Sequence, residues 1–391
     1  MSIPLAMPLI SRGVPAYTND DFTGAFPATH ANDALYGGTD YWRCATTPTA
    51  SANSGTLTQA VYLAYDLSGV SSTQRQQVLV HWDQSAVTGA YNPVLIANNT
   101  YNIATSYTID SNTAAGGTLP TTGWTTLVTV SGSAPYHSRQ HSVNLAGGNW
   151  IRMNVTAITG SAGNNNVALN MDIHDAHLGV QDSWFCAGDS ITQAAFMYDE
   201  TNGLSAVMPQ QIATALPAYY PVWESGGIGG WTSTDVLTVF STWLALFPGH
   251  YVTLNFGTND ANLGGTYMTT YQANMTNMIQ QVLTAGKIPI VPHIPWLNTT
   301  AQARANVITL NGLIDTMVLA NVGTLAGPDL YAFFLANQTL ISGDNLHPTS
   351  PAGYNGYRTQ WVDWAVANIY TLAVANRYQI GFAVWQFGSM Y

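Results

Sequence analysis

The chain has 391 residues, of which 47% are hydrophobic and only 7% charged, against about a quarter charged in an ordinary soluble protein. That length predicts two domains. A formal net charge of −11 with 9 Lys and Arg argues against a nucleic-acid partner, because neutralising phosphates needs clustered basic side chains. Lys287 is the only lysine. No run approaches the roughly 20 apolar residues of a membrane span. The first residues, "MSIPLAMPLISRG", have neither the basic start nor the long apolar core of a signal peptide. The polar, charge-poor composition is nevertheless that of exported proteins, and an extracellular location is the expectation. Two cysteines cannot make a disulfide framework. Cys186 lies in an apolar run and is read as a buried free thiol, not a partner of Cys44.

In chain order, the first half reads as β-structure. The segments "AVYLAYDL", "QVLVHWD", "YNIATSYTI", "TTLVTV", "NWIRMNVTAI" and "VALNMDIHDA" are β-branched and aromatic, and clusters such as "SNTAAGGTLPTTG" and "TGSAGNNN" punctuate them. Many short strands with such turns predict a sandwich or jelly roll. His174 and His177, with Asp172 and Asp175 beside them, resemble a metal cluster only superficially. Alternation puts 172 and 174 on one strand face and 175 and 177 on the other, and zinc needs more ligands in one place. No metal is predicted.

Past residue 183 the pattern becomes alternating strands and helices. Strands are predicted at 183–189, 219–224, 250–256, 288–293 and 328–332, and helices at 203–216, 232–246, 267–285, 301–321 and 350–371. This order implies a parallel sheet with helices on both faces, whose ligands sit beyond the carboxyl ends of the strands. No Pro-rich linker separates the halves, so an all-β domain at 1–180 and an α/β domain at 181–391 are expected to pack together.

Four short blocks fall at those strand ends. The first is "GDS", Gly188 to Ser190; the second is "ESGGIGGWTS", residues 224–233. The third is "FGTND", with Asn259 and Asp260, and the last is "SGDNLHPTS", where Asp344 precedes His347 by three residues. Alone, each has an ordinary reading: Ser190 a helix cap, the glycines a loop, Asn259 a turn, Asp344 and His347 an accident of spacing. Together they supply acyl-transfer chemistry. A serine hydroxyl needs a base to take its proton, and histidine titrates near neutrality. A carboxylate must hold that histidine in one tautomer, and Asp344 in the same tight loop can do so. The candidate oxyanion donors are the Ser190 N–H, a second-block glycine N–H and the Asn259 amide.

These four ordered blocks resemble the SGNH (GDSL-type) hydrolase family over residues 183–372. The resemblance implies a flavodoxin-like α/β/α sandwich, ester hydrolysis without a cofactor, Ser190 as nucleophile, and Asp344 and His347 as its partners. It implies Ser190, Gly230 and Asn259 as the oxyanion hole. The second block departs from the family pattern, with Ser225 where asparagine is common, and a slip of one residue would make Gly229 the donor. Asp189 and Asp260 are read as structural hydrogen-bonders, and His293 as a satisfied rim histidine. Trp231 and Trp296 fit either a substrate wall or packing. In the first half, "HANDALYGGTDYWRC", "AVYLAYDLSGV" and the closing hairpin resemble the galactose-binding-like, discoidin-type jelly roll.

The resulting expectation is a serine esterase that removes acetyl or another short acyl group from a carbohydrate or polysaccharide ester. A general carboxylesterase or lysophospholipase, and a carbohydrate-binding protein with an inert hydrolase half, are the alternatives.

Overall fold

The structure is a computed structural model that describes residues 4–21, 24–36, 40–46, 55–83, 103–133, 136–158, 167–196 and 203–371. The expected turn at "TGSAGNNN" and the start of "YNIATSYTI" lie outside the described residues. Among the described residues the first half holds β1 (Ala16–Thr18), β2 (Trp42–Arg43), β3 (Gly55–Asp66), β4 (Gln77–Asp83) and β5 (Ala104–Asn112). It continues with β6 (Thr125–Val130), β7 (Ser138–Asn144), β8 (Trp150–Ile158) and β9 (Ala168–Asp175). These strands form two antiparallel sheets, in the orders β1-β3-β8-β5-β6 and β2-β9-β4-β7.

Strand periodicity explains how the two sheets meet. In β4, Val78, Val80 and Trp82 share a core with Leu63 and Tyr65 of β3, Ile109 of β5 and Met153 of β8. The alternate residue Leu79 belongs to a different cluster, with Met7 and Val222. Side chains two apart share a face, so His81 and Asp83 also point away from the first core. Every residue of β9 is buried. The four-stranded sheet is therefore covered on both sides, by the other antiparallel sheet and by the second half of the chain.

That second half begins with β10 (Ser183–Gly188), α1 (Ser190–Ala195), α2 (Met208–Ala215), β11 (Val222–Gly227), α3 (Ser233–Val236), α4 (Phe240–Leu246) and β12 (Tyr251–Asn255). It goes on through α5 (Thr258–Leu263), α6 (Thr266–Thr284), β13 (Ile288–Val291), α7 (Ala301–Ala320), β14 (Leu325–Ala326), α8 (Leu330–Ala336) and α9 (Ala352–Ala365). The strands pair in parallel in the order β11-β10-β12-β13-β14. Alternate residues of β10 feed two cores. Phe185 and Ala187 pack with Phe240, Met275 and Val307 on one face. Trp184 and Cys186 pack with Ile191, Ile212, Phe334 and Trp361 on the other. This is an α/β/α sandwich, preceded by a β-rich region of antiparallel sheets. Both cysteines are buried and free.

Several element boundaries differ from the sequence expectation. The strand expected at 328–332 is instead the two-residue β14 followed by α8. Asp329 caps that helix, accepting a hydrogen bond from the Ala332 amide at 2.9 Å, so capping chemistry overrides a short apolar run that suits either element. The helix expected at 232–246 is divided into α3 and α4. The helix expected from 203 starts at Met208. The short helices α1 and α5, at the carboxyl ends of β10 and β12, fall outside the expected helices.

The halves meet along a buried polar seam. Ser183 Oγ donates to Gln140 Oε1 at 2.5 Å, and Gln140 Nε2 donates to Glu224 Oε2 at 3.2 Å. Tyr36 Oη donates to Asp172 Oδ2 at 2.5 Å and lies 3.3 Å from Tyr220 Oη. The early chain runs along the same junction, where Leu9 bridges His174 and the Asp175 amide donates to Pro8 O at 2.9 Å.

Candidate active site

Strand β10 turns sharply into α1 at Gly188. A Cβ there would lie 2.1 Å from Thr192 Oγ1 and 2.9 Å from Asn255 Cβ, so only glycine fits this elbow. Asp189 has extended backbone dihedrals and caps α1, accepting from the Ile191 amide at 3.0 Å. Burial pushes its carboxyl up to about 6, against the Ile191 amide, the Thr258 hydroxyl and His347, with Asp260 adding to the rise. The capping role open to Ser190 thus belongs to its neighbour. Ser190 is the first residue of the helix, half-buried, with its hydroxyl free for other work.

That hydroxyl lies 2.8 Å from His347 Nε2. The histidine sits in a tight loop closed by Ser342 N donating to His347 O at 2.8 Å and Asn345 N donating to Ser342 O at 2.9 Å. Asn345 takes the left-handed conformation, φ 60°, which asparagine tolerates better than most residues. The turn folds Asp344 back onto His347, with Oδ2 2.6 Å from Nδ1. Its Oδ1 accepts from Ser342 Oγ at 2.5 Å, Leu346 N at 2.9 Å and His347 N at 3.0 Å. Desolvation raises the Asp344 carboxyl, but these hydrogen bonds outweigh it and hold the group well below the usual carboxylate range. An ionised carboxylate only accepts, so Nδ1 carries the proton and Nε2 presents a lone pair to Ser190.

The second block folds beside this pair. Ile228 N donates to Gly188 O at 3.0 Å, and Trp231 N donates to Ile228 O at 3.3 Å. The Gly229 amide is taken by Gln193 Oε1 at 3.0 Å, and a Cβ on Gly229 would lie 3.9 Å from Ser190 Cβ. Gly230 has φ +79° with open space around it, and its N–H meets no acceptor among the described residues. Of the two candidate glycines, the one with a free amide is Gly230. Asn259, on α5, donates through Nδ2 to Trp231 O at 2.9 Å. A primary amide has two N–H groups, so one remains for another acceptor. Ser190 N–H opens α1 and has no partner within that helix. The structure thus gathers Ser190, Gly230, Asn259, Asp344 and His347 at the carboxyl edge of the parallel sheet.

The remaining candidates are accounted for structurally. Asp260 accepts from Ser233 Oγ at 2.6 Å and Ser233 N at 3.0 Å, tying the third block to the start of α3. His293 has both ring nitrogens engaged, Nδ1 with Asp329 and Nε2 with Asp315, each at 3.0 Å. Trp231 stacks on Trp243, with ring centroids 5.8 Å apart, and Trp296 is buried. His177 Nδ1 lies 2.6 Å from Asp175 Oδ1, whereas His174 Nδ1 lies 3.2 Å from Met7 O. Among the described residues no group of three or more His, Cys, Asp or Glu could hold a metal ion. Sequence reading missed Gln193 and Ser342. Gln193 was discoverable in principle, because residues three apart share a helix face, but only if the turn after β10 is read as a helix.

Residues 186–362 match the GDSL-like Lipase/Acylhydrolase family, a segment that contains Ser190, Gly230, Asn259, Asp344 and His347. Among solved structures, a lipase/acylhydrolase from Enterococcus faecalis is similar at 18% identity, over 48% of this chain and 96% of that one, with a TM-score of 0.39. An acetylxylan esterase from Geobacillus stearothermophilus is similar at 18% identity, over 46% of this chain and 93% of that one, with a TM-score of 0.37. A chitosan-binding module of a Paenibacillus chitosanase/glucanase is similar at 17% identity, over 42% of this chain and 98% of that one, with a TM-score of 0.28. No curated protein matches the sequence.

Proposed function

We propose that the protein is a serine ester hydrolase that removes acetyl or another short acyl group from a carbohydrate ester. The observation that carries this reading is the continuous chain Ser190 Oγ, His347 Nε2, His347 Nδ1, Asp344 Oδ2, with links of 2.8 and 2.6 Å. His347 takes the hydroxyl proton as Ser190 Oγ attacks the ester carbonyl. The Ser190 and Gly230 amides and the Asn259 side chain receive the oxyanion. As the tetrahedral intermediate collapses, the C–O bond to the alcohol breaks and His347 protonates the departing oxygen. The acyl-enzyme then meets a water molecule, which His347 deprotonates, and the carboxylic acid leaves.

The substrate class rests on the surroundings. Gln193 and Asn259, which hold the Gly229 amide and the Trp231 carbonyl, and Asn345, in the His347 loop, are uncharged hydrogen-bonding side chains about the site. Such a surface suits a neutral hydroxylated alcohol better than an acidic or long apolar one. Hydrolysis of aryl esters from acetate to palmitate, alongside acetylated xylan, tests this with wild type and Ser190→Ala in parallel. Fastest turnover of acetate and release of acetate from xylan are expected. Faster cleavage of octanoate or longer chains overturns the carbohydrate reading, and an undiminished Ser190→Ala overturns the hydrolase itself.

A further inference from the structure

We infer that Gln193 is a positioning residue for the oxyanion hole: its side-chain oxygen pins the Gly229 amide so that the Gly230 amide alone is presented to the reacting carbonyl. The inference rests on the hydrolase reading above and deepens it.

The turn that carries the donor is "GGIGG", Gly226 to Gly230. Glycine-rich backbone has more conformations to lose than any other, so it supplies a well-aimed donor only if other groups hold it. Contacts on either side of the donor do so. Ile228 N is anchored to Gly188 O at 3.0 Å, and Trp231 O is held by Asn259 Nδ2 at 2.9 Å. Between these ends, the one side chain among the described residues that reaches the middle of the turn is Gln193, through Oε1 to Gly229 N at 3.0 Å. Gln193 stands three residues after Ser190 on α1, so one helix face carries both the nucleophile and the brace for the donor opposite it. Contact between the two elements is direct, since a Cβ on Gly227 would fall 2.1 Å from Gln193 N.

Without that acceptor, the Gly229 and Gly230 amides become equivalent candidates in a loose turn, and the donor geometry is no longer set before reaction. Pre-set donors act chiefly on the transition state. Loss of the brace therefore falls on kcat and leaves KM nearly alone.

The test compares Gln193→Met, which keeps length and helix preference but lacks the oxygen, with Gln193→Glu, which keeps an acceptor. Wild type and Ser190→Ala are run beside them on a short-chain aryl ester. Gln193→Met is expected to lose about tenfold or more in kcat, with KM within about threefold, as displaced catalytic geometry does. Its thermal unfolding midpoint should match wild type, and Gln193→Glu should recover most of the loss. A Gln193→Met variant within about twofold of wild-type kcat, a change confined to KM, or a Gln193→Glu variant as slow as Gln193→Met overturns the inference, while an inactive Ser190→Ala leaves the hydrolase reading standing. An active Ser190→Ala overturns both.

Discussion

Histidines and carboxyl groups gather in two regions of this protein, and the two behave in opposite ways. At the edge that holds Ser190 and His347, Asp344 has a side chain 50% exposed and four hydrogen-bond donors around it, and its carboxyl is held well below the usual range. In the seam between the halves, burial pushes Glu224 up to about 8 and Asp172 up to about 7. Burial drives the seam histidines the other way, His81 down to about 3 and His174 down to about 4. The residue types are the same. What differs is water and the number of donors offered to each oxygen. Near neutral pH the histidines of the seam and the Glu224 carboxyl pack as neutral polar groups, whereas Asp344 at the edge is held ionised.

Replacements that erase the charge of one carboxyl in each region sharpen this contrast. Asp344→Asn should lower kcat by roughly 10⁴-fold, because the amide no longer fixes the tautomer of His347. Steady-state rates on a short-chain aryl ester, with folding checked by circular dichroism, measure it, and a loss of only a few fold would mean Asp344 merely supports the loop. Asn259→Ala should cost about 100- to 1,000-fold in kcat, the usual effect of removing one oxyanion donor. If KM rises and kcat does not, its bond to Trp231 O is its only role.

The smallest effect belongs to the seam. The folded-state value of Glu224 lies above its value of 4.5 in the unfolded chain. The stability it contributes is therefore complete below that unfolded value and lost as pH rises through about 8. Glu224→Gln keeps the shape of a protonated acid, so it should unfold near the wild-type temperature at pH 5 and above it at pH 9. Equal losses in both proteins between the two pH values would break the comparison.

The grouping proposed as catalytic was legible in the sequence because its parts are local. Asp344 and His347 share one turn, and each other block is a few residues at the end of a strand. The assignment of the second-block donor was not, since only the side-chain path of Gln193 separates Gly229 from Gly230. The misplaced fifth strand has a similar cause: the apolar run after Asp329 fits two elements, and a single capping bond decides. The seam was hidden for another reason. Alternation in β4 and β9 tells which residues share a face, but not whether water or another layer of protein covers it. Glu224, Gln140 and His81 acquire their character from that layer.

Lys287 lies immediately before β13, half-buried, with its Nζ 2.6 Å from Gly249 O and 4.9 Å from the centre of the Phe247 ring. Burial brings its ammonium down to about 8. Because the sheet is parallel, the start of β13 and the end of β10 are at opposite poles, and Ser190 follows the latter. The single lysine side chain of the chain is thus a chemical handle on the far pole. Attachment of the molecule to a support at that side chain would turn the Ser190 edge outward.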